Sequence, residues 1–468
     1  MSQGDDIQHL VGKPLKTRVI GYLKLAGPGY MQSAMTLGGG SVASCAALGS
    51  LFGYKYLWVQ IVAMFLGFVV LASVAKQTTN SGERAYGVFW RELHPIFAIF
   101  WAVSALIATI LWHIPQYSLT ANGIIVLTDG LGMNLDNTAG RSVMGVVVLA
   151  CASFMVYMYH SGANGLKLYE KVIKFLIWLI VLAFAIAAFT GEGVAWGELF
   201  KGVFGITFMQ EGFEGDLALR PVVGALAAAV GINMIFLYPY SIMERGWGKD
   251  YKELAYTDLL TGMAFPFIIA TSLMIIAVAK TIGPEPGMHN LEAIKDVRQI
   301  IPVLSSSLGD GLALLVVGFG MTAIGFSTII THMLATGFIG CEMFGLKYEG
   351  KKKFLFSMLP TIGVVGVIMK FPLELSITAS VLAMPLMPVT VLCFLVLLNK
   401  KSYMGDAMPT GKKRLLWNVL LSIAIVIMTW AAVYVLQSKY KAFNAKYNAP
   451  VEVIEEVPVE DSTEEAKN

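Results

Sequence analysis

GPGYMQSAMTLGGGSVASCAALGSLFGYKYLW, residues Gly27 to Trp58, is long and apolar enough to cross a bilayer, yet Gly38-Gly39-Gly40-Ser41 sits at its middle. Each glycine weakens a helix by about 1 kcal/mol relative to alanine, so three in succession favour a break. In lipid, freed backbone groups are tolerated only where they line a cavity or lie buried in protein. A helix interrupted at mid-membrane is therefore the place where a solute would be held. A second reading is packing, since small residues let membrane helices approach closely.

The rest of the chain is of the same kind. Hydrophobic residues make up 56% and charged residues 14%, and the mean hydropathy is +0.68. A soluble domain carries about 25% charge, so the composition is that of a polytopic membrane protein. The first twenty residues are polar and carry Asp5, Asp6, Lys13, Lys16 and Arg18, unlike a cleaved signal peptide. Cys45, Cys151, Cys341 and Cys393 fall mostly in apolar runs without CxxC spacing, and read as small buried hydrophobes rather than a metal site or disulfide frame.

Apolar runs of spanning length recur after the first. They are Leu57–Ala75, Ile96–Leu127, Ser142–Tyr159 and Val172–Phe189, then Val222–Met243, Leu259–Ala279, Gly311–Phe338, Phe354–Met369, Leu375–Leu398 and Leu415–Leu436. About eleven spans result, the two longest expected to include interfacial turns. Basic residues alternate with them: Lys13 to Lys24, Lys76 to Arg91, Lys167 and Lys171, Arg245 to Lys252, Lys347 to Lys353, and Lys400 to Arg414 all fall on one side. Excess lysine and arginine marks the cytoplasmic side, so the N-terminus is expected inside a plasma (inner) membrane and, with an odd span count, the C-terminus outside.

A second interrupted helix is expected five spans after the first. Val222–Met243 contains Gly231, Asn233 and Pro239, and proline removes a backbone donor and clashes with the preceding turn. Breaks at matching places in two five-span halves point to an inverted-repeat transporter with its site where they cross. The expected division is a cytoplasmic segment 1–24, a first repeat 25–190, an extracellular loop 191–221, a second repeat 222–399, a loop and eleventh helix 400–437, and a disordered tail 438–468 whose end, Asn448–Asn468, is acidic.

Gly27-Pro28-Gly29, GSLFGYKYLW at Gly49–Trp58, Arg91-Glu92 with Pro95, Leu237-Tyr238 with Ser241, GFSTIIT at Gly325–Thr331, and Met404-Gly405 follow one another in a fixed order. In order and spacing they resemble the NRAMP (natural resistance-associated macrophage protein) family, proton-coupled divalent-metal transporters with a LeuT-type fold. The resemblance covers most of the membrane part. It implies a 5+5 inverted repeat plus one helix, with helices 1 and 6 broken. The family's ligands do not carry over. Its Asp-Pro-Gly-Asn motif falls on Gly38-Gly39-Gly40-Ser41, and its Met-Pro-His-Asn, led by the methionine ligand, on Asn233-Met234-Ile235-Phe236. The histidine associated with proton movement falls on Tyr240, the acidic pair of the third helix on Ile110 and His113, and the tenth-helix glutamine on Ser380.

An ion stripped of water in a low-dielectric site loses tens of kcal/mol of solvation and needs carboxylates or equivalent ligands. The expected pocket offers only neutral groups: Gly38, Gly39, Gly40, Ser41, Gly231, Asn233, Tyr238 and Ser380. Amides and carbonyls at the half-helix ends would suit a small zwitterion or other polar organic solute, the favoured expectation. The alternative is a divalent cation, magnesium or manganese, keeping most of its waters and touched by Ser41 and Asn233. Ser327 and Thr328 resemble the hydroxyl pair that holds sodium in sodium-coupled LeuT-type transporters, but such groups also commonly bond their own helix. His113 could serve a proton relay or hold freed carbonyls near Pro115. His332, Met234 and Met243 read as packing residues. The coupling ion, if any, is Na+ or H+. No nucleophile–base constellation, Walker loop or GxGxxG motif in a suitable context points to an enzyme, and a monomer without cofactor or nucleic-acid partner is expected.

Overall fold

The computed structural model describes residues 10, 13–190, 193–281, 298, 301, 305, 308–347, 350–369 and 374–447. Among them the chain is helical, because a helix is the one way a single segment can satisfy its own backbone in hydrocarbon. Ten helices are long and apolar enough to cross a membrane, and a bent pair brings the total to eleven.

That pair is α1 (Pro28–Thr36) and α2 (Gly39–Phe52), which meet at 50°. There follow α3 (Leu57–Ser81), α4 (Pro95–Asp129), α5 (Thr138–His160) and α6 (Ala163–Phe189). The sixth span divides into α7 (Asp216–Ala229) and α8 (Ile232–Glu244). The seventh joins Lys252–Leu259 through a π turn to α9 (Phe265–Thr281), and the eighth is α10 (Asp310–Met343). The ninth is a short helix, Gly350–Ser357, continued by a 3-10 turn and Gly366–Met369. The tenth is α11 (Glu374–Ala383) with α12 (Met387–Leu398), and the last is α13 (Gly411–Tyr447). Five spans and five spans form the two inverted repeats, with α13 added.

Burial separates the centre from the rim. The most apolar part of Asp216–Glu244 is 89% buried, whereas that of Ala163–Phe189 and of Gly411–Lys441 is 33% buried. The broken spans therefore stand inside a ring of lipid-facing helices. The long helices α4 and α10 pack along each other and close one side of the centre.

Several expectations change. The two longest runs contain no interfacial turn: α4 and α10 are continuous, and about 50 Å of helix is accommodated by tilt and by emergence from the bilayer. Pro239 stays inside α8, so the sixth span breaks at Val230 and Gly231 instead. Within the expected loop 191–221, Trp196–Val203 and Ile206–Glu211 are short helices and α7 has already begun at Asp216. The last helix continues past 437 to Tyr447, since Lys439–Tyr447 contains neither glycine nor proline to stop it; Asn448–Asn468 lies outside the described residues. Cys45, Cys341 and Cys393 are buried, but Cys151 is exposed on the outer side of α5.

Candidate functional site

Three glycines do not unwind as many residues. Leu37 (φ −85°) and Gly38 (φ −74°) make the break, and Gly39 to Ser41 form the first turn of α2. These φ angles are open to any residue, so space and not backbone freedom demands the glycines. A Cβ on Gly38 would lie 3.1 Å from Thr328 Oγ1, one on Gly39 2.9 Å from Ser376 Oγ, and one on Gly40 would collide with Ser380 Oγ. Both readings of the glycine run hold: the helix is broken, and its neighbours press against the break.

Neighbouring helices also supply the polar partners that the break requires. Gln116 of α4 accepts the Gly39 N–H through Oε1 at 3.0 Å and donates through Nε2 to Trp112 O at 3.2 Å. Thr328 of α10 donates to Ala34 O at 2.7 Å and to Ile324 O at 2.9 Å. Ser41 donates its hydroxyl back across the break to Thr36 O. In the sixth span Val230 and Gly231 are extended. The Gly231 N–H donates to Met234 Sδ at 3.2 Å and the Met234 N–H to Asn233 Oδ1 at 2.9 Å. Trp112 Nε1 donates to Ser380 Oγ at 3.0 Å, and Ser380 in turn to Ser376 O at 3.0 Å.

The two breaks face one small cavity. Met35, Gly38, Gly40 and Ser41 line it from the first span, Ala227, Ala228, Gly231, Asn233 and Met234 from the sixth, Trp112 and Gln116 from α4, Thr328 and His332 from α10, and Ser380 from α11. Its volume, about 20 Å³ measured to the centre of a water-sized sphere, is room for about one water in this state. No Asp or Glu is among the lining residues. Among the described residues, no three His, Cys, Asp or Glu side chains are grouped to hold a metal. Asn233 Nδ2, His332 Nδ1 and both ring nitrogens of His113 are buried without a hydrogen-bond partner.

Of the expected substrate residues, Gly38, Gly40, Ser41, Gly231, Asn233 and Ser380 meet at this cavity. Gly39 stands behind it, its amide held by Gln116. Tyr238 does not belong there: five residues past Asn233 is about 140° around the helix, and its hydroxyl donates to Ala255 O at 3.1 Å. Of the coupling residues, Thr328 lines the cavity, whereas Ser327 turns its hydroxyl to Ile324 O of its own helix at 3.1 Å. His113 lies one layer back, its ring 5.6 Å from that of His332. His332 and Met234, read as packing, in fact line the cavity. Met35, Trp112 and Gln116 carried no assignment; a glutamine within an apolar run, one turn after His113, was the available signal.

Charge is kept at the two ends of the bundle. At one end Asp258 accepts the amides of Gly27 and Gly29 at 2.7 and 2.6 Å. Beside them Arg245 pairs with Glu170 and donates to Leu25 O, and Lys353 reaches Glu244 at 2.7 Å. At the other end Lys55 holds Glu211 at 3.1 Å and also Glu214, which accepts from Tyr56 as well.

Two broken spans in inverted repeats, enclosing a polar cavity at their crossing with ionic clusters beyond each end, are the architecture of a secondary membrane transporter. The family model described as natural resistance-associated macrophage protein-like matches residues 29–438, and the chain belongs to that Nramp family. The chain is similar to the divalent metal cation transporter MntH of Caldanaerobacter subterraneus subsp. tengcongensis, at 24% identity over 88% of this chain and 93% of the relative. It is likewise similar to that of Bacillus subtilis, at 23% identity over 68% and 72%. In fold it is similar to the Eremococcus coleocola manganese transporter, solved in complex with an aromatic bis-isothiourea substituted compound, with a TM-score of 0.72 at 15% identity over 92% of this chain and 89% of that one. MhsT in complex with L-phenylalanine gives a TM-score of 0.56 at 14% identity, covering 86% and 98%.

Proposed function

We propose that this protein carries a divalent cation, magnesium or manganese, by alternating access, with the ion keeping much of its water shell. The observation that carries this reading is the Nramp match over residues 29–438 on a chain whose two breaks enclose a polar cavity. The relatives named above as divalent metal cation transporters support the cargo class. The favoured expectation of a zwitterionic organic solute gives way to this alternative, because the similar proteins are named as carriers of divalent metal cations.

Neutral ligands set the terms of transport. Ser41, Asn233 and nearby carbonyls cannot offset the tens of kcal/mol lost on full dehydration of a divalent ion. Magnesium in particular gives up its waters reluctantly. Entry of a hydrated ion then requires the half-helices to part, widening the cavity beyond its present size. Met35 and Met234 add thioethers, which suit manganese better than magnesium.

The test is flux in proteoliposomes. Magnesium or manganese uptake is expected, reduced about tenfold in Asn233→Ala, a cost of about 1.4 kcal/mol. Met234→Leu is expected to reduce manganese uptake more than magnesium uptake. Absence of flux for both ions, with thermal stabilisation by an amino-acid-like compound, would return the assignment to an organic solute.

For coupling, the facing imidazoles of His332 and His113 are better placed than the hydroxyls, since Ser327 is already committed to its own helix. His332→Gln is expected to remove the dependence of uptake on a proton gradient. A sodium requirement that weakens in Thr328→Ala would assign coupling to the hydroxyl instead.

A further inference from the structure

Sharing no lining residue with the cavity, a second and much larger pocket of about 860 Å³ opens on the face that carries the basic loops. Three separate connections build it: the end of α3, the turn before the seventh span, and the approach to α13. Each brings lysine. Lys76 comes from the last turns of α3, Lys249 and Lys252 from the second element, and Lys413 from the first turn of α13. All four lysines line this one pocket. Among the described residues, none of the four is in an ion pair.

Like charges gathered from distant parts of a chain raise the free energy of the fold unless an anion is present. The pocket does not supply enough of its own. Glu83 lines it but is taken by Arg91 at 2.8 Å. Asp406 remains, one carboxylate against four ammonium groups. The N-terminus of the long helix α13 adds partial positive charge at the same place.

We infer that this pocket binds the phosphate head group of an anionic phospholipid. A phosphate ester has the charge and the acceptor oxygens that four lysines lack, and basic pockets between membrane helices recognise lipid head groups in this way. The side chains beside it favour a lipid over a soluble phosphate. Trp417 forms part of the wall, and on the same helix Leu415, Leu416 and Val419 are exposed outward in a stripe leading away from Lys413. Such a stripe lies against acyl chains when the head group sits among the lysines. The inference concerns a site separate from the transport path and does not depend on the nature of the cargo.

The full chain in neutral detergent tests it, with phosphatidylglycerol, phosphatidylcholine and inorganic phosphate as probes. Phosphatidylglycerol is expected to raise the unfolding midpoint by about 2 °C or more, while phosphatidylcholine and inorganic phosphate do not. In K252Q/K413Q, where both side chains are exposed, at least half of that shift is expected to disappear, together with the lipid adducts seen by native mass spectrometry. K351Q/K352Q, in another basic stretch at the start of the ninth span, is expected to keep both. Should the double variant fold poorly, K252R/K413R keeps the charge and retains the shift, and K76R does likewise. An undiminished shift in K252Q/K413Q, or equal stabilisation by phosphatidylcholine, would overturn the assignment. Stabilisation by inorganic phosphate at the same concentration would give the pocket to a soluble phosphate and overturn the lipid.

Discussion

Gly40 shows what one residue decides at the cavity. A Cβ there would drive into Ser380 Oγ, the atom that accepts from Trp112 Nε1. Gly40→Ala is therefore expected to displace Ser380, break the Trp112 bond and reduce cation uptake about tenfold, with expression unchanged. Adding Ser380→Ala removes the obstructing hydroxyl, since a Cβ at Gly40 would be 3.6 Å from Ser380 Cβ, an ordinary contact. The double variant should recover part of the loss, and a cycle of the four proteins measures the coupling. Purely additive effects would show that the two residues do not act through this contact.

At the level of elements, transport needs half-helices that can move, and the ionic clusters hold their outer ends. Asp258 ties the seventh span to the start of α1 through two backbone amides. Asp258→Ala leaves those amides without their acceptor and Arg245 with Glu170 as its remaining carboxylate partner. A loss of about 1–3 kcal/mol is expected from the unpaired groups, read as a lower unfolding midpoint and faster amide exchange in residues 27–31. At the opposite end Lys55 joins the α2–α3 connection to Glu211 and Glu214. Lys55→Ala should loosen that end alone, making a cysteine placed at Ser41 more reactive to reagents added from the side of Glu214. Equal reactivity from both sides would separate the Lys55 cluster from gating.

For the whole molecule, eleven spans and one-sided basic loops predict opposite sides for the loops around Lys401 and Glu198. A cysteine at position 401 should react with a membrane-impermeant maleimide only in inside-out vesicles, and one at position 198 only in right-side-out vesicles. Cys45, Cys341 and Cys393 are buried and contribute little background, and the exposed Cys151 is first replaced by serine. Labelling of both positions from the same side would reverse or break the assigned topology.

The spans, the two interrupted helices and the absence of carboxylate at their crossing could all be read from residue order. They follow from local physics: hydrocarbon demands apolar runs of fixed length, and glycine weakens a helix wherever it occurs. Where each break falls was decided by tertiary structure. The first narrows to Leu37 and Gly38 because Gln116, from another helix, holds the Gly39 amide, and the second leaves Pro239 inside α8. Membership of the cavity was decided the same way. Trp112, Gln116 and His332 come from the third and eighth spans, and Tyr238 turns away toward Ala255. Periodicity tells which residues share a face of one helix, but only packing decides what that face meets.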